Sequence, residues 1–130
     1  MISSVAVRIE SAELTGEELS ELLGPSTWHA DRDSLVSARR PDGPRRQMTT
    51  WIKESSVSSD EISVHVDSLQ DVMRAANHAR TQGVDITIDL TFMVEAREMG
   101  FIVALEVGLL KRLAELGCGL VADVYNSSTD

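Results

Sequence analysis

Val84-Asp-Ile-Thr-Ile-Asp-Leu-Thr-Phe-Met-Val94 alternates apolar and polar side chains almost without a break. With a side-chain period of two, Val84, Ile86, Ile88, Leu90, Phe92 and Val94 share one face, and Asp85, Thr87, Asp89 and Thr91 share the other. One face is therefore buried and the other wet, which is the pattern of a sheet covered on a single side.

The neighbouring segments supply that cover. Upstream, Ile62, Val66, Leu69, Met73 and Ala76 recur at steps of four and three, one face of a helix. Ser58 with Glu61, or Ser59, is its expected start, and Gly83 its stop. Asp67, Asp71, Arg74 and His78 fall on the other faces. Downstream, residues 95–100 read as a turn and residues 101–105, Phe-Ile-Val-Ala-Leu, as a fourth strand antiparallel to 84–94. Residues 107–116 read as a helix with Leu109, Leu110, Leu113 and Leu116 inward and Lys111 and Arg112 in the half where cations suit the dipole. Gly117 ends it, and residues 120–125 form a last strand.

Further towards the N-terminus, Thr15 and Glu18 form a capping box ahead of Leu19, Leu22 and Leu23, and Gly24-Pro25 closes that helix. Residues 4–10 and 47–54 read as strands. The predicted order is β-α-β-α-β-β-α-β, whose last six elements match the ferredoxin-like unit. The expected fold is a single α+β domain over 1–130. It is a two-layer sandwich, with a mostly antiparallel five-stranded sheet and three helices on one face. The first strand is expected at a sheet edge. On this phasing Trp51, Lys53, Ile102, Val121 and Tyr125 lie on the open face, an apolar content that predicts self-association there.

All three prolines and Asp42-Gly43 fall within 25–46, which is expected to be a long irregular loop. Loops of this length in a compact domain are usually functional. It is also where the cations are. The chain carries −9 overall, yet residues 28–53 hold Arg32, Arg39, Arg40, Arg45, Arg46 and Lys53 against Asp31, Asp33 and Asp42, a local +3. The remainder is therefore −12. That acidity argues against general nucleic-acid binding, because phosphate contacts need cations.

The sequence holds no phosphate-cradling glycine loop, nucleophile elbow or paired-cysteine zinc signature, and no catalytic residue is assigned. His29-Ala-Asp-Arg-Asp33 sets three potential ligands at alternate positions, but no fourth is near, and a polar loop explains the run. No metal or cofactor is expected. Cys118, the single cysteine, lies between glycines and reads as a small buried hydrophobe. No apolar run is long enough for a membrane span and the N-terminus lacks a signal-peptide pattern, so a reducing cytoplasm is expected and no membrane contact.

The candidate binding residues are Trp28, His29, Arg39, Arg40, Arg45, Arg46, Trp51 and Tyr125. Aromatic rings interleaved with arginine can stack planar groups or hold anions, while Trp51 can equally pack against the sheet. The arginine pairs leave both legs of a proline- and glycine-held turn, and planar guanidinium groups suit carboxylates and phosphates. This pattern favours a non-enzymatic module that binds a protein partner or a second copy of itself. The alternative is a small-molecule or anion-binding protein, or an enzyme, with its site between the 28–46 loop and the sheet.

Leu14-Thr-Gly-Glu-Glu-Leu-Ser-Glu-Leu-Leu-Gly24 with Pro25-Ser-Thr27, the strand around Trp51, and Leu109-Leu-Lys-Arg-Leu-Ala-Glu-Leu-Gly117 leading to Val121-Ala-Asp-Val-Tyr125 together resemble an uncharacterised bacterial family. It is catalogued as domain-of-unknown-function family 4279. The resemblance covers nearly the whole chain and implies a bacterial cytoplasmic α+β domain, with no activity attached.

Overall fold

The computed structural model describes residues 1–96, 100 and 102–126. The elements run β1 (Ile2–Ser11), α1 (Gly16–Leu23), β2 (Trp28–Ala30), β3 (Thr49–Glu54), α2 (Ile62–Thr81), β4 (Thr87–Ala96), α3 (Val107–Glu115) and β5 (Cys118–Asn126). The expected class holds: an α+β fold with three helices on an open five-stranded sheet, ordered β2-β3-β1-β4-β5. Three of its pairings are antiparallel, and β4–β5 is parallel. Among the described residues no helix is long and apolar enough to cross a membrane.

The alternation in β4 is realised as read. Ile88, Leu90, Phe92 and Val94 are buried, and across the ladder they face Ile9, Val7, Val5 and Ile2 of β1. α2 lies over β1 and β4, and its stripe of Ile62, Val66, Leu69, Met73 and Ala76 is buried throughout. α1 begins with the expected capping box: Thr15 Oγ1 accepts from the Glu18 N–H at 3.1 Å, and Glu18 Oε1 accepts from the Thr15 N–H at 3.1 Å. It ends at Gly24, whose φ of 98° is left-handed and favours glycine. α2 has no side-chain cap on its N-cap residue Glu61; instead Ser59 Oγ accepts the Glu61 N–H at 3.0 Å.

Four expectations change. β1 is the central strand, not an edge: it pairs with β3 on one side and β4 on the other. Its polar positions Arg8 and Glu10 are not solvated alone, because Arg8 pairs with Glu10 at 3.3 Å and with Asp89 of β4 at 3.4 Å. The fifth strand is supplied by Trp28–Ala30 rather than by residues 101–105. Phe101 lies outside the described residues, and 102–105 form no strand. Both edges of β4 are already taken, by β1 and β5, so this segment cannot pair with β4 as expected. Val103 and Leu105 pack on the core while Ile102 and Ala104 stay exposed beside the start of α2. The order is thus β-α-β-β-α-β-α-β: the ferredoxin-like β-α-β-β-α-β unit expected of the last six elements is formed instead by the first six, β1 to β4, with strands ordered β2-β3-β1-β4 and all antiparallel.

The third change is the phase of β3. Trp51 opposes Ile9 and is wholly buried on the helix side, where its Nε1–H donates to Ser20 Oγ of α1 at 3.0 Å. Lys53 shares that side, whereas Thr50, Ile52 and Glu54 take the open face. The fourth concerns the 25–46 loop, which is regular in part. Beyond β2, Asp33 N–H donates to Arg46 O and Arg46 N–H to Ser34 O, both at 2.8 Å, and Leu35 bridges Arg45. The two legs form a ribbon that ends in tight turns at Ser37–Arg40 and Arg40–Gly43.

Of the leucines expected inward, Leu22 and Leu110 are 50% and 44% exposed, and Val124 is 63% exposed. Replacing buried Ile88 by Ala should therefore cost about 2–5 kcal/mol, whereas Leu22→Ala should stay within about 1 kcal/mol. Urea denaturation of the two variants checks the contrast, and equal midpoints would contradict the packing.

Cys118 is half-buried in β5. Burial lifts its thiol to about 11, opposed by a hydrogen bond with the Leu90 backbone and aided by the Asp89 carboxylate. Near neutral pH the group is a protonated thiol and should alkylate on the order of a hundredfold more slowly than an unfolded cysteine. The folded state holds this proton to a higher pH than the unfolded state does. Stability should be unaffected by Cys118 below about pH 9 and fall as pH rises from 9 towards 11. A Cys118→Ser variant should lose that component of the alkaline slope.

Candidate functional site

The arginine ribbon is anchored at its base by groups that the sequence offers as candidate ligands. His29 lies in β2, opposite Trp51, and its Nδ1 is 2.9 Å from Ser26 Oγ. Its ring covers Gly16 at the start of α1, and a Cβ on Gly16 would run into it. Asp31 Oδ1 accepts the Gly16 N–H at 2.7 Å, adding an acceptor at the positive end of α1. Arg32 donates from its backbone to Thr49 Oγ1 at 3.0 Å and from Nη1 to Ala12 O at 2.6 Å. Asp33, at φ 68°, takes the left-handed turn into the ribbon, a conformation Asp tolerates better than most residues. His29, Asp31 and Asp33 therefore point to different partners. Among the described residues no cluster of three or more His, Cys, Asp or Glu is arranged to hold a metal ion.

With the base fixed, the guanidinium groups divide into two kinds. Arg45 Nη1 donates to Asp33 O at 2.7 Å, which braces one leg against the other. Arg46 lies over the Trp28 ring, its Cζ 5.2 Å from the ring centroid, while its Nε has no hydrogen-bond partner. Arg39 and Arg40 are exposed at the tip, and their guanidinium groups make no hydrogen bond or ion pair among the described residues. The ribbon thus presents two unengaged cations on a backbone that is held by its own pairing.

Trp28 is 46% exposed and shares the open face with Ile52, its ladder partner. From there the open face continues through Arg8, Thr91, Met93, Val121 and Asp123, which line a shallow hollow. Arg8 sits at its centre between Glu10 and Asp89. The acidic groups Glu54, Asp89 and Asp123 surround it, so the face is cationic beside the ribbon and anionic towards β5.

Not all the candidates meet. Trp28, Arg39, Arg40, Arg45 and Arg46 belong to one surface and His29 supports it. Trp51 is in the core behind that surface. Tyr125 is on β5, four strand positions from Trp28, roughly 19 Å across the sheet, and its Oη donates to Ser3 Oγ at 3.1 Å. Self-association through the open face was expected from Trp51, Ile102, Val121 and Tyr125; Trp51 is behind the sheet and Ile102 lies outside every strand, so half of that apolar content is elsewhere while Val121 and Tyr125 stay on the open face.

A second polar cluster was not evident in the sequence. His65, buried on α2, has Nδ1 2.8 Å from Ser55 Oγ and Nε2 2.8 Å from Ser59 O. A carbonyl can only accept, so Nε2 carries a proton. Ser55 Oγ is also 3.0 Å from Ser68 Oγ, and Ser68 donates to His65 O at 2.8 Å. No carboxylate orients the imidazole, and the contacts all tie the 55–59 connection to α2. The available signal was His65 itself, a polar residue three positions after Ile62 and directly beside the buried stripe.

Compared with family models, curated proteins and solved structures, the chain matches none of them, and the functional reading rests on the fold and surfaces described above.

Proposed function

We propose that this is a cytoplasmic, non-enzymatic protein-interaction module, with the arginine ribbon and the adjoining open sheet face as its working surface. The observation that carries this reading is the pair of unengaged guanidinium groups, Arg39 and Arg40, at the tip of a ribbon whose base is locked to α1 and β3. A preformed cationic edge beside a partly apolar, uncovered sheet suits an acidic protein surface. The guanidinium groups steer and orient, and Trp28, Ile52 and Met93 supply contact area. The resemblance to family 4279 accompanies this proposal as one of common descent.

The second reading, an anion- or small-molecule-binding protein with its site between the 28–46 loop and the sheet, draws on one contact. Arg46 stacked on half-exposed Trp28 offers a planar cation to a planar anion, its unpartnered Nε being itself buried.

Amide chemical-shift mapping separates the two. Titration with a short glutamate-rich peptide should move residues 28–46 together with Ile52, Thr91 and Val121. The Arg39→Glu, Arg40→Glu double variant should weaken that binding at least about tenfold, ~1.4 kcal/mol, and added salt should weaken it further. Inorganic phosphate or a nucleotide shifting Trp28 and Arg46 as strongly as the peptide does would favour the second reading. Peptide shifts that avoid the ribbon would remove the first.

A further inference from the structure

We infer that the outer edge of β5, with the flank of α3 beside it, is a homodimer interface in which two copies join antiparallel, β5 to β5, into one continuous sheet. This surface is separate from the arginine ribbon and does not depend on the function proposed for it.

The two edges of the sheet are treated differently. At one edge β2 has three residues and runs into the ribbon. At the other, β5 has nine residues, all in unbroken register with β4, and among the described residues no other strand lies along its outer side. Proteins commonly protect such an edge with proline, lysine, a bulge or extreme shortness. β5 has none of these, and its only charge is Asp123.

The helix layer repeats the pattern. α3 lies over β5, with Leu109 and Leu113 turned to the core. Arg112 leaves on one flank, where it donates to Asp67 Oδ1 at 2.7 Å and Gln70 Oε1 at 2.6 Å of α2. At about 100° per residue, Leu110, Ala114 and Val107 emerge on the opposite flank, which is the side of the free edge. Val107 is 82% exposed. Val124, on the same side of the sheet as α3, is exposed beside them. An unpaired strand and an apolar helix flank therefore lie one above the other on a single lateral face.

A second copy fits this face in register and charge. With the two-fold axis at Ala122, Leu120 opposes Val124 of the other copy, Val121 opposes Asp123, and Gly119 opposes Tyr125. No like charges stand directly opposite one another: each Asp123 faces a valine, and the two Asp123 are diagonal neighbours across the axis. A nine-residue strand is about 30 Å long and two layers are about 20 Å deep, roughly 600 Å² per copy. The total of about 1,200 Å² is at the lower limit of a stable interface. The contact is isologous and closes on itself, so it consumes both free edges and cannot propagate. Because each copy carries −9, salt should tighten this association, whereas it should weaken binding at the ribbon.

Light scattering of the full chain over micromolar to submillimolar concentration tests the assignment. The wild type should reach twice the chain mass, more readily at higher salt. A Leu110→Glu, Val124→Lys double variant, altered only at exposed positions, should remain monomeric with an unchanged circular dichroism spectrum. Arg39→Glu, Arg40→Glu should still dimerise, which separates this interface from the ribbon. Amide exchange in β5 should be slower in the wild type than in the monomeric variant. A monomer throughout the range, or a dimer that survives Leu110→Glu, Val124→Lys with β5 exchange unaltered, overturns the inference.

Discussion

Three helices of 8, 20 and 9 residues have to cover a five-stranded sheet, and they suffice for one face only. The rest of the structure follows from that shortage of cover. α2 is placed over the central pair β1 and β4, where burial is greatest, and α1 and α3 are left to the flanks. Burial of Val7, Ile9, Trp51 and Leu90 is consequently complete. The uncovered face is kept in water by its own ladder of Arg8, Glu10 and Asp89, whose charges satisfy one another across neighbouring strands. Such partly exposed pairs add little stability. They do keep a central strand compatible with solvent on one side.

The sequence made the inward faces legible more readily than the neighbours of each strand. β4 and α2 carry long runs at a single period, so their buried residues are fixed by that period alone. Alternation in β1 is the same whether the strand has one neighbour or two, and its central place depends on ladder partners roughly forty to ninety residues away. In β3, Trp51 and Ile52 are adjacent, so either phase puts one large apolar group inside. The burial of Trp51 is decided by Ser20, a residue on another element. Residues 101–105 have strand composition, yet the described part, 102–105, forms none, because β4, the partner expected for it, has both of its edges filled.

The candidate surface was legible as composition and not as geometry. Clustered arginines and turn residues mark the ribbon directly. What the pattern does not reveal is that His29 and Asp31 act as anchors on α1, or that Asp33 turns the chain so that the legs pair. These are contacts with Gly16, whose role is visible only once His29 is seen against it. The anchoring matters for binding, since a ribbon already held in one shape loses less conformational freedom when a partner arrives than a mobile loop would.

The central strand joins residues that are far apart in the chain: Arg8 and Asp89, side by side in the ladder, are 81 positions distant. Helices α1 and α2 form from near neighbours, but β1 cannot acquire its second partner until β4 has been delivered across the whole of α2. Folding should therefore be slow for a chain of this size, limited by loop closure more than by helix formation. During that wait β1 exposes one hydrogen-bonding edge and a row of valines and isoleucine, the kind of surface through which unfolded chains capture one another. The net negative charge of the body has a further use here, because mutual repulsion keeps incomplete chains apart while the longest connection is being made.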